Sequence, residues 1–285
     1  AIQQIIRGDI SAVGLPVIDS TRFHIHCDDI HVSAHLLREV LNDWHNAQVE
    51  LPALITRLND VHFRGDADGR IRDIQLNGQF TSTLGNMGVN GHFTADSAFH
   101  DLRYNARFQA NQFRLGELLG TQEVGDLTGD ISAEGTYQPG VVDAHMTADI
   151  SQVMLNGYTY HDMHIDGHYC PKHYDGLLTL NDPNANVRFN GRVDMTGRYP
   201  DIDCDLSVHH LHPAALNLWN KVPGLAINAA MKMKLNGTDI DHMSGALVVD
   251  SLNLRDSERQ LRLRHLTVNA RADGATKQIA LTSDY

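Results

Sequence analysis

The sequence has few of the features that mark the commonest protein classes. Only three of its 285 residues are cysteines, and these three (Cys27, Cys170 and Cys204) are widely spaced with no C-x-x-C pair. Such spacing predicts neither a zinc ribbon nor a disulfide framework. No run of 18 or more apolar residues occurs, so no stretch is predicted to span a bilayer as a helix.

Positive charge is also scarce, with 23 basic against 35 acidic side chains and a net charge of −12. Nucleic-acid binding requires a clustered positive field, so nucleic acid is excluded as a partner. The motifs GxSxG, GxxxxGK[ST], GxGxxG and HExxH are all absent. The sequence therefore supports no enzymatic activity and predicts no cofactor.

Alternation of apolar and polar residues with period two is the dominant pattern. It is clear around Met87–Phe93, Leu102–Phe108 and Val187–Met195. The pattern recurs in about fifteen segments joined by turns rich in Gly, Asn and Asp. It predicts a mainly β protein whose antiparallel sheet has one apolar and one wet face. Helical spacing is confined to short patches at residues 33–44, 52–58, 115–119 and 213–219.

The strand-rich pattern runs through the whole chain without a low-complexity linker. Residues 8–14 (GDISAVG) and 129–135 (GDISAEG) are nearly identical, which indicates a degenerate repeat. We predict that residues 1–285 form one continuous segment with units at about 1–110, 111–208 and 209–285, arranged as an elongated, curled sheet. Both ends look cut from a longer chain.

Histidine is abundant, at 18 copies, and invites a metal hypothesis. Six of these residues fall on the polar register of their strands and are interpreted as facing water, so no metal site is predicted: His24, His26, His92, His145, His164 and His168. The D-x-D-x-D run at Asp201–Asp205 is interpreted as the wet edge of a strand, since Leu206 stands where a calcium loop needs Gly. Asp66–Gly69 is interpreted as a hairpin turn.

The predicted helices are too few and too short to cover the apolar face. The sheet must therefore either fold over as a sandwich or curl and leave an apolar groove. Small residues on the apolar register, such as Gly78 and Gly191, permit tight curvature. An open apolar groove in a chain with a polar outer face is a binding surface for an apolar ligand.

Several motifs resemble the TamB/AsmA-like family, in particular the TamB proteins of Bacteroides-like bacteria. Residues 156–160 match an N-G-Y-x-Y segment, residues 176–184 a G-x-L-x-L-N-D-P-N segment, and residues 189–194 an F-x-G-x-[IV]-D strand. Residues 113–119 and 215–218 resemble the recurring F-x-L-G-x-L-L and A-L-N-L elements. The resemblance covers residues 60–255 well and the first 50 residues more weakly.

The resemblance implies a periplasmic bridge-like lipid carrier. Its members are anchored in the inner membrane by one N-terminal helix, which is absent from this segment, and curl a long sheet into an apolar trough. They are implicated in moving phospholipid towards the outer membrane and in outer-membrane protein assembly. A BamA-related barrel partner would dock through regions outside this segment. The family has no catalytic residues to carry over.

We therefore expect phospholipid acyl chains to lie along the apolar register of the sheet. Twelve residues on that register are predicted to line the groove: Ile74, Leu76, Phe80, Val89, Phe93, Tyr104, Phe108, Ile131, Met146, Ile165, Phe189 and Leu206. Two alternatives stay open. One is a structural or adhesive β-scaffold, a closed sandwich or solenoid that binds protein partners at its sheet edges. The other is a metal-dependent carbohydrate-active module that uses the His and Asp residues.

Overall fold

The computed structural model describes residues 7–35, 38–39, 53–139, 141–237, 243–273 and 276–284. Strands make up 72% of the residues that the structure describes, and helices 6%. The prediction of a mainly β, antiparallel fold with a few short helices is confirmed. The chain divides into two compact units, residues 1–157 (unit 1) and residues 158–285 (unit 2). The three repeat units proposed from the sequence stay a prediction.

In the part of unit 1 that the structure describes, eight strands form an open, curled antiparallel sheet. Each strand pairs with the next one along the chain, so the unit is a continuous meander. The strands are β1 (Arg7–Val13), β2 (Arg22–Ser33), β3 (Asp60–Arg70), β4 (Asp73–Ser82), β5 (Gly85–Ala95), β6 (Leu102–Arg114), β7 (Val124–Gln138) and β8 (Val141–Leu155).

The described residues of unit 2 form a second antiparallel meander, of nine strands. Its strands are β9 (Tyr158–Cys170), β10 (His173–Asp182), β11 (Ala185–Asp194), β12 (Asp201–Leu211), β13 (Ala226–Asn236), β14 (Ser244–Arg255), β15 (Gln260–Leu263), β16 (His265–Asp273) and β17 (Thr276–Asp284). Both β15 and β16 pair with β14, so together they occupy one position in the sheet.

Among the residues that the structure describes, helical structure is limited to short segments, as expected. The α-helices α1 (Ala53–Leu58) and α2 (Leu115–Leu119) belong to unit 1, as does a 3-10 turn at Ile18–Ser20. Helix α2 ends at Gly120, whose left-handed φ of 74° lets its N–H bond to the carbonyl of Gly116. A glycine in this conformation is a common helix stop. Residues 34–35 and 38–39 are also helical, and the rest of the patch predicted at 33–44 lies outside the described residues, apart from Ser33 at the end of β2.

The helix predicted at residues 213–219 is wrong, because residues 213–217 form a turn. Asn217 adopts a left-handed φ of 58°, which stops helical propagation after one turn. Leu216 nevertheless becomes fully buried. The apolar residues of this patch therefore place one side chain in the core without forming a helix.

The turn predicted at Asp66–Gly69 is also wrong, since these residues lie inside β3. The chain reverses instead at Ile71 and Arg72, between the paired residues Arg70 and Asp73. Alternation continues through this stretch, with Phe63 and Ala67 buried on the same face. The D-x-D-x-D run, by contrast, lies in β12. Cys204, which stands between two of its aspartates in the sequence, is buried, as the sequence predicted.

Buried apolar side chains lie beside the short turns and helices as well as in the middle of the strands, where Ala144 and Ala148 are 2% exposed. In unit 1, Phe113, Leu127 and Val153 are aligned across β6, β7 and β8, and all three are buried. The backbone bond from Arg114 N–H to Leu84 C=O, at 2.8 Å, brings Leu84 to the same end of the sheet. In unit 2, Leu216 is held by the Tyr160 hydroxyl, which donates to its carbonyl at 3.3 Å.

Candidate functional site

The candidate site is the apolar face of the sheet in each unit. Strand β4 illustrates its construction, because its residues alternate strictly between exposed and half-buried. All twelve residues predicted to line the groove lie at inward positions. Eleven are half-buried and Val89 is buried. Side chains in a filled core would be buried throughout, whereas these keep part of their surface open.

Nine of the predicted residues belong to unit 1, where strand pairing brings them into rows. Val89, Phe108 and Ile131 are directly opposite one another on β5, β6 and β7. A second row runs through Ile74, Phe93 and Tyr104 on β4, β5 and β6. The remaining three lie in neighbouring positions of the same face: Leu76, Phe80 and Met146.

The other three predicted residues, Ile165, Phe189 and Leu206, share one row of unit 2. This row also contains Leu178 and Met231, so that five apolar side chains cross β9 to β13. The list drawn from the sequence omitted these last two residues. Both lie on the correct register, and Leu178 is obscured by the adjacent Leu177, which makes the alternation ambiguous.

Aromatic rings extend the apolar face next to both sets of rows. The ring of Phe63 packs against Phe80 in unit 1 with a centroid separation of 4.7 Å, and that of Tyr174 lies 6.0 Å from Phe189 in unit 2. Burial raises the pKa of the Tyr104 and Tyr174 phenols. Both phenols are therefore neutral near pH 7, and no member of the cross-strand rows carries a charge.

The opposite face of the sheet is polar and carries cross-strand His–carboxylate pairs. In unit 1, the imidazole Nδ1 of His26 lies 2.6 Å from Asp66 Oδ1, and His92 Nε2 lies 2.6 Å from Asp73 Oδ1. The hydrogen bond and charge of Asp66 raise the pKa of His26. The interpretation of the histidines as water-facing holds for His24, His26, His92 and His145, which are exposed, whereas His164 and His168 are half-buried.

A depression of about 470 Å³ lies on this polar face of unit 1. Most of its lining residues are polar, among them Asp66, Asp68, Asn90 and His92, and Leu76 also contributes. Carboxylates and amides favour water or ions over hydrocarbon. This depression is therefore unsuitable for acyl chains, and the apolar face is the candidate site for an apolar ligand.

The N-D-P-N motif of unit 2 forms a buried polar cluster around Asp182, whose side chain is fully inaccessible. Tyr158 Oη donates to Asp182 Oδ1 at 2.6 Å, and the backbone N–H groups of His161 and Asn184 donate at 3.1 and 2.8 Å. Burial alone would raise the pKa of Asp182, but these hydrogen bonds lower it overall. The cluster fastens β9 to the β10–β11 turn and leaves no open position for a substrate.

A second group on the polar register of unit 2 combines His168, His173 and Asp175. One imidazole nitrogen of each histidine and one carboxylate oxygen lie within 4.8 Å of one another. The hydrogen bond from His173 lowers the pKa of Asp175. The sequence placed His168 on the wet register but did not pair it with the other two residues.

No helix among the described residues is long and apolar enough to cross a membrane. No protein-family model matches the chain, and neither a curated protein nor a solved structure shows significant similarity to it.

Proposed function

We propose that this chain is a segment of a periplasmic bridge-like lipid carrier. Its apolar face holds phospholipid acyl chains and conducts them towards the outer membrane, in support of outer-membrane biogenesis. The observation that carries the proposal is the row Ile165–Leu178–Phe189–Leu206–Met231. It is an uncharged band of half-buried apolar side chains across five adjacent strands.

Binding of hydrocarbon to such a band is favourable because the band is only partly removed from water. Each methylene buried contributes about 0.8 kcal/mol, so six methylenes contribute about 5 kcal/mol. The phosphate headgroup would stay at the polar margin of the sheet, where it keeps its hydration. The ligand would move between equivalent rows without any covalent step, so the proposed function is not enzymatic.

The location, the tether and the partner rest on the resemblance to the TamB/AsmA-like family. In that reading a helix outside this segment holds the protein at the inner membrane. A BamA-related barrel protein docks through regions that are also outside it. The motifs behind the resemblance supply structural elements here: the N-D-P-N run forms the Asp182 cluster, and Phe189 belongs to the apolar row.

Lipid extraction and native mass spectrometry of the purified segment test the proposal. We expect phospholipid to copurify in a defined ratio and to be displaced by added fatty acid. A protein that is folded by circular dichroism but carries no lipid, and takes up none from vesicles, would contradict the lipid-carrier function.

The exposed sheet edges favour a second candidate, a β-scaffold that binds protein partners. In the described part of the chain, β1 pairs only with β2 and β17 only with β16. Their outer side chains include Val13, 73% exposed, and Leu281, 68% exposed. Unpaired edge strands of this kind can accept a further strand. Concentration-dependent assembly in the absence of lipid, lost on Leu281→Lys, would support the scaffold.

A further inference from the structure

The polar face of unit 2 carries an arrangement that the lipid proposal does not use. His168 lies on β9 directly opposite Asp175 on β10, and His173 precedes Asp175 by two residues on the same strand. Two residues apart on a strand share a face, so all three side chains project to the same side. Antiparallel pairing thus brings together three donors that are separated by up to seven positions in the sequence.

The donor atoms are spaced as a metal ion would require. His173 Nε2 lies 2.9 Å from Asp175 Oδ1, and His168 Nδ1 lies 3.4 Å from the same oxygen. Ligands at about 2.0–2.1 Å from a tetrahedral zinc ion are themselves about 3.3 Å apart. One ring nitrogen of each histidine and one oxygen of Asp175 all lie within 4.8 Å of one another.

A second carboxylate lies close to the other ring nitrogen of His173. Its Nδ1 faces Asp194 Oδ2 at 3.5 Å, on the strand paired with β10. Asp194 Oδ1 in turn accepts hydrogen bonds from Thr196, from its N–H at 2.8 Å and its hydroxyl at 2.5 Å. In carboxylate–histidine–zinc triads, a carboxylate beside one ring nitrogen orients the imidazole so that its other nitrogen, here the Nε2 that faces Asp175, can bind the metal.

These features separate the group from the other His–carboxylate pairs on the polar faces. His92 faces Asp73 at 2.6 Å, but His92 is half exposed and has no second imidazole on that carboxylate. His173 is only 18% exposed and His168 31% exposed. The Asp175 side chain is 48% exposed, so burial distinguishes the two imidazoles of this group but not its carboxylate.

We propose that His168, His173 and Asp175 form a binding site for a divalent transition metal of the zinc class, with Asp194 as the residue that positions His173. Two imidazoles and one carboxylate are a donor set that zinc accepts, with a remaining position for water. By strand register the nearest further donor is Cys170, which lies opposite His173. The site is on the polar face, so it does not depend on lipid binding to the apolar face.

The test is metal titration of the full chain after removal of metal with a chelator. Zn²⁺ is added in competition with a chromophoric chelator, and Co²⁺ is added separately to record its visible absorption. We expect one tight zinc site per chain and a cobalt spectrum typical of tetrahedral coordination. His173→Gln and Asp175→Asn should each abolish both signals.

Two further variants keep the test decisive. Asp194→Asn retains all three ligands, and we expect it to weaken zinc binding by about 10- to 100-fold. His92→Gln removes an exposed histidine from a matched His–carboxylate pair in unit 1 and should leave the stoichiometry unchanged. Absence of a tight site in the wild-type chain would overturn the proposal. So would equal losses in His92→Gln and His173→Gln.

Discussion

Asp182 is the most completely enclosed charged residue among those described, and its carboxylate accepts hydrogen bonds from two parts of unit 2, strand β9 and the β10–β11 turn. Tyr158 is 24 positions away in the sequence, whereas Asn184 is its close neighbour. The local turn is apparent from the N-D-P-N pattern. The contribution of Tyr158 and His161 depends on the pairing of β9 with β10, so the burial of Asp182 could not be inferred from the sequence.

Replacement of Asp182 by Ala should lower the free energy of unfolding by about 3 kcal/mol, because several partly buried donors lose their acceptor. Urea-induced unfolding followed by circular dichroism measures the change. Asp182→Asn keeps one acceptor oxygen and should cost less. Asp205→Ala, at an exposed position of β12, serves as the control and should change stability by under about 0.5 kcal/mol. Equal losses for Asp182→Ala and Asp205→Ala would contradict the structural role of the cluster.

The cross-strand pair His26–Asp66 predicts a pH effect. The hydrogen bond and charge of Asp66 raise the pKa of His26 above 6.5 in the folded protein. The pair therefore stabilises the fold fully below the unfolded pKa of about 6.5, and this contribution is lost as the pH rises through the folded pKa.

NMR titration of the His26 ring measures this shift directly. Asp66→Asn should lower the pKa of His26, and Asp28→Asn should lower it less, since Asp28 acts only through its charge. A His26 pKa that is unchanged in Asp66→Asn would show that the pair does not form in solution.

At the scale of the strands, the alternation of apolar and polar residues predicted most of the sheet correctly. Its period of two matches the geometry of a strand, in which successive side chains point to opposite faces. The failures have local physical causes. The turn at Ile71 and Arg72 contains no typical turn residue, whereas Gly69 adopts a φ of 138° within β3. In the 213–219 patch, the apolar residues have helical spacing, but only Leu216 is fully buried there. The left-handed backbone of Asn217 prevents a helix.

Gly176 and Gly191 are paired on β10 and β11 with φ values of 147° and 150°. A Cβ on Gly176 would lie 2.3 Å from the backbone oxygen of Asp166 on β9. This close approach is one device by which the sheet curls, as the small residues on the apolar register suggested.

Gly176→Ala should therefore lower the free energy of unfolding by about 2 kcal/mol or more, through both the clash and the strained φ. The matched control is Gly197→Ala, where the nearest atom to the new Cβ is the Tyr199 carbonyl oxygen at 3.4 Å. Thermal unfolding of the two variants gives the comparison. If both melt at the wild-type temperature, the close approach at Gly176 is absent in solution.

At the scale of the molecule, we assign lipid binding to the apolar face of the sheet and metal binding to its polar face. The register of the apolar face was predictable from the sequence, and all twelve predicted residues lie on it. Which residues form a row was not predictable, because rows depend on the pairing of strands. The same limitation concealed the His168–His173–Asp175 group, whose members lie on two strands.

Phe189→Arg should reduce the lipid that copurifies with the segment by at least about tenfold, because a charge in the apolar row opposes acyl-chain burial. Ile165→Arg, in the same row, should act alike. Asp166→Arg introduces the same side chain on the opposite register and should leave the lipid content near the wild-type value. Quantitative lipid analysis of the folded variants provides the measurement, and equal loss in Phe189→Arg and Asp166→Arg would show that the assigned face is wrong.

Site-specific photo-crosslinking in the full-length protein tests the central claim most directly. A photoreactive residue is placed at Phe189 on the apolar row, or at the adjacent exposed Asn190 on the polar face. We predict phospholipid adducts at position 189 and none above background at position 190. Absence of adducts at 189, or equal adducts at both positions, would contradict the proposal that the apolar face carries lipid.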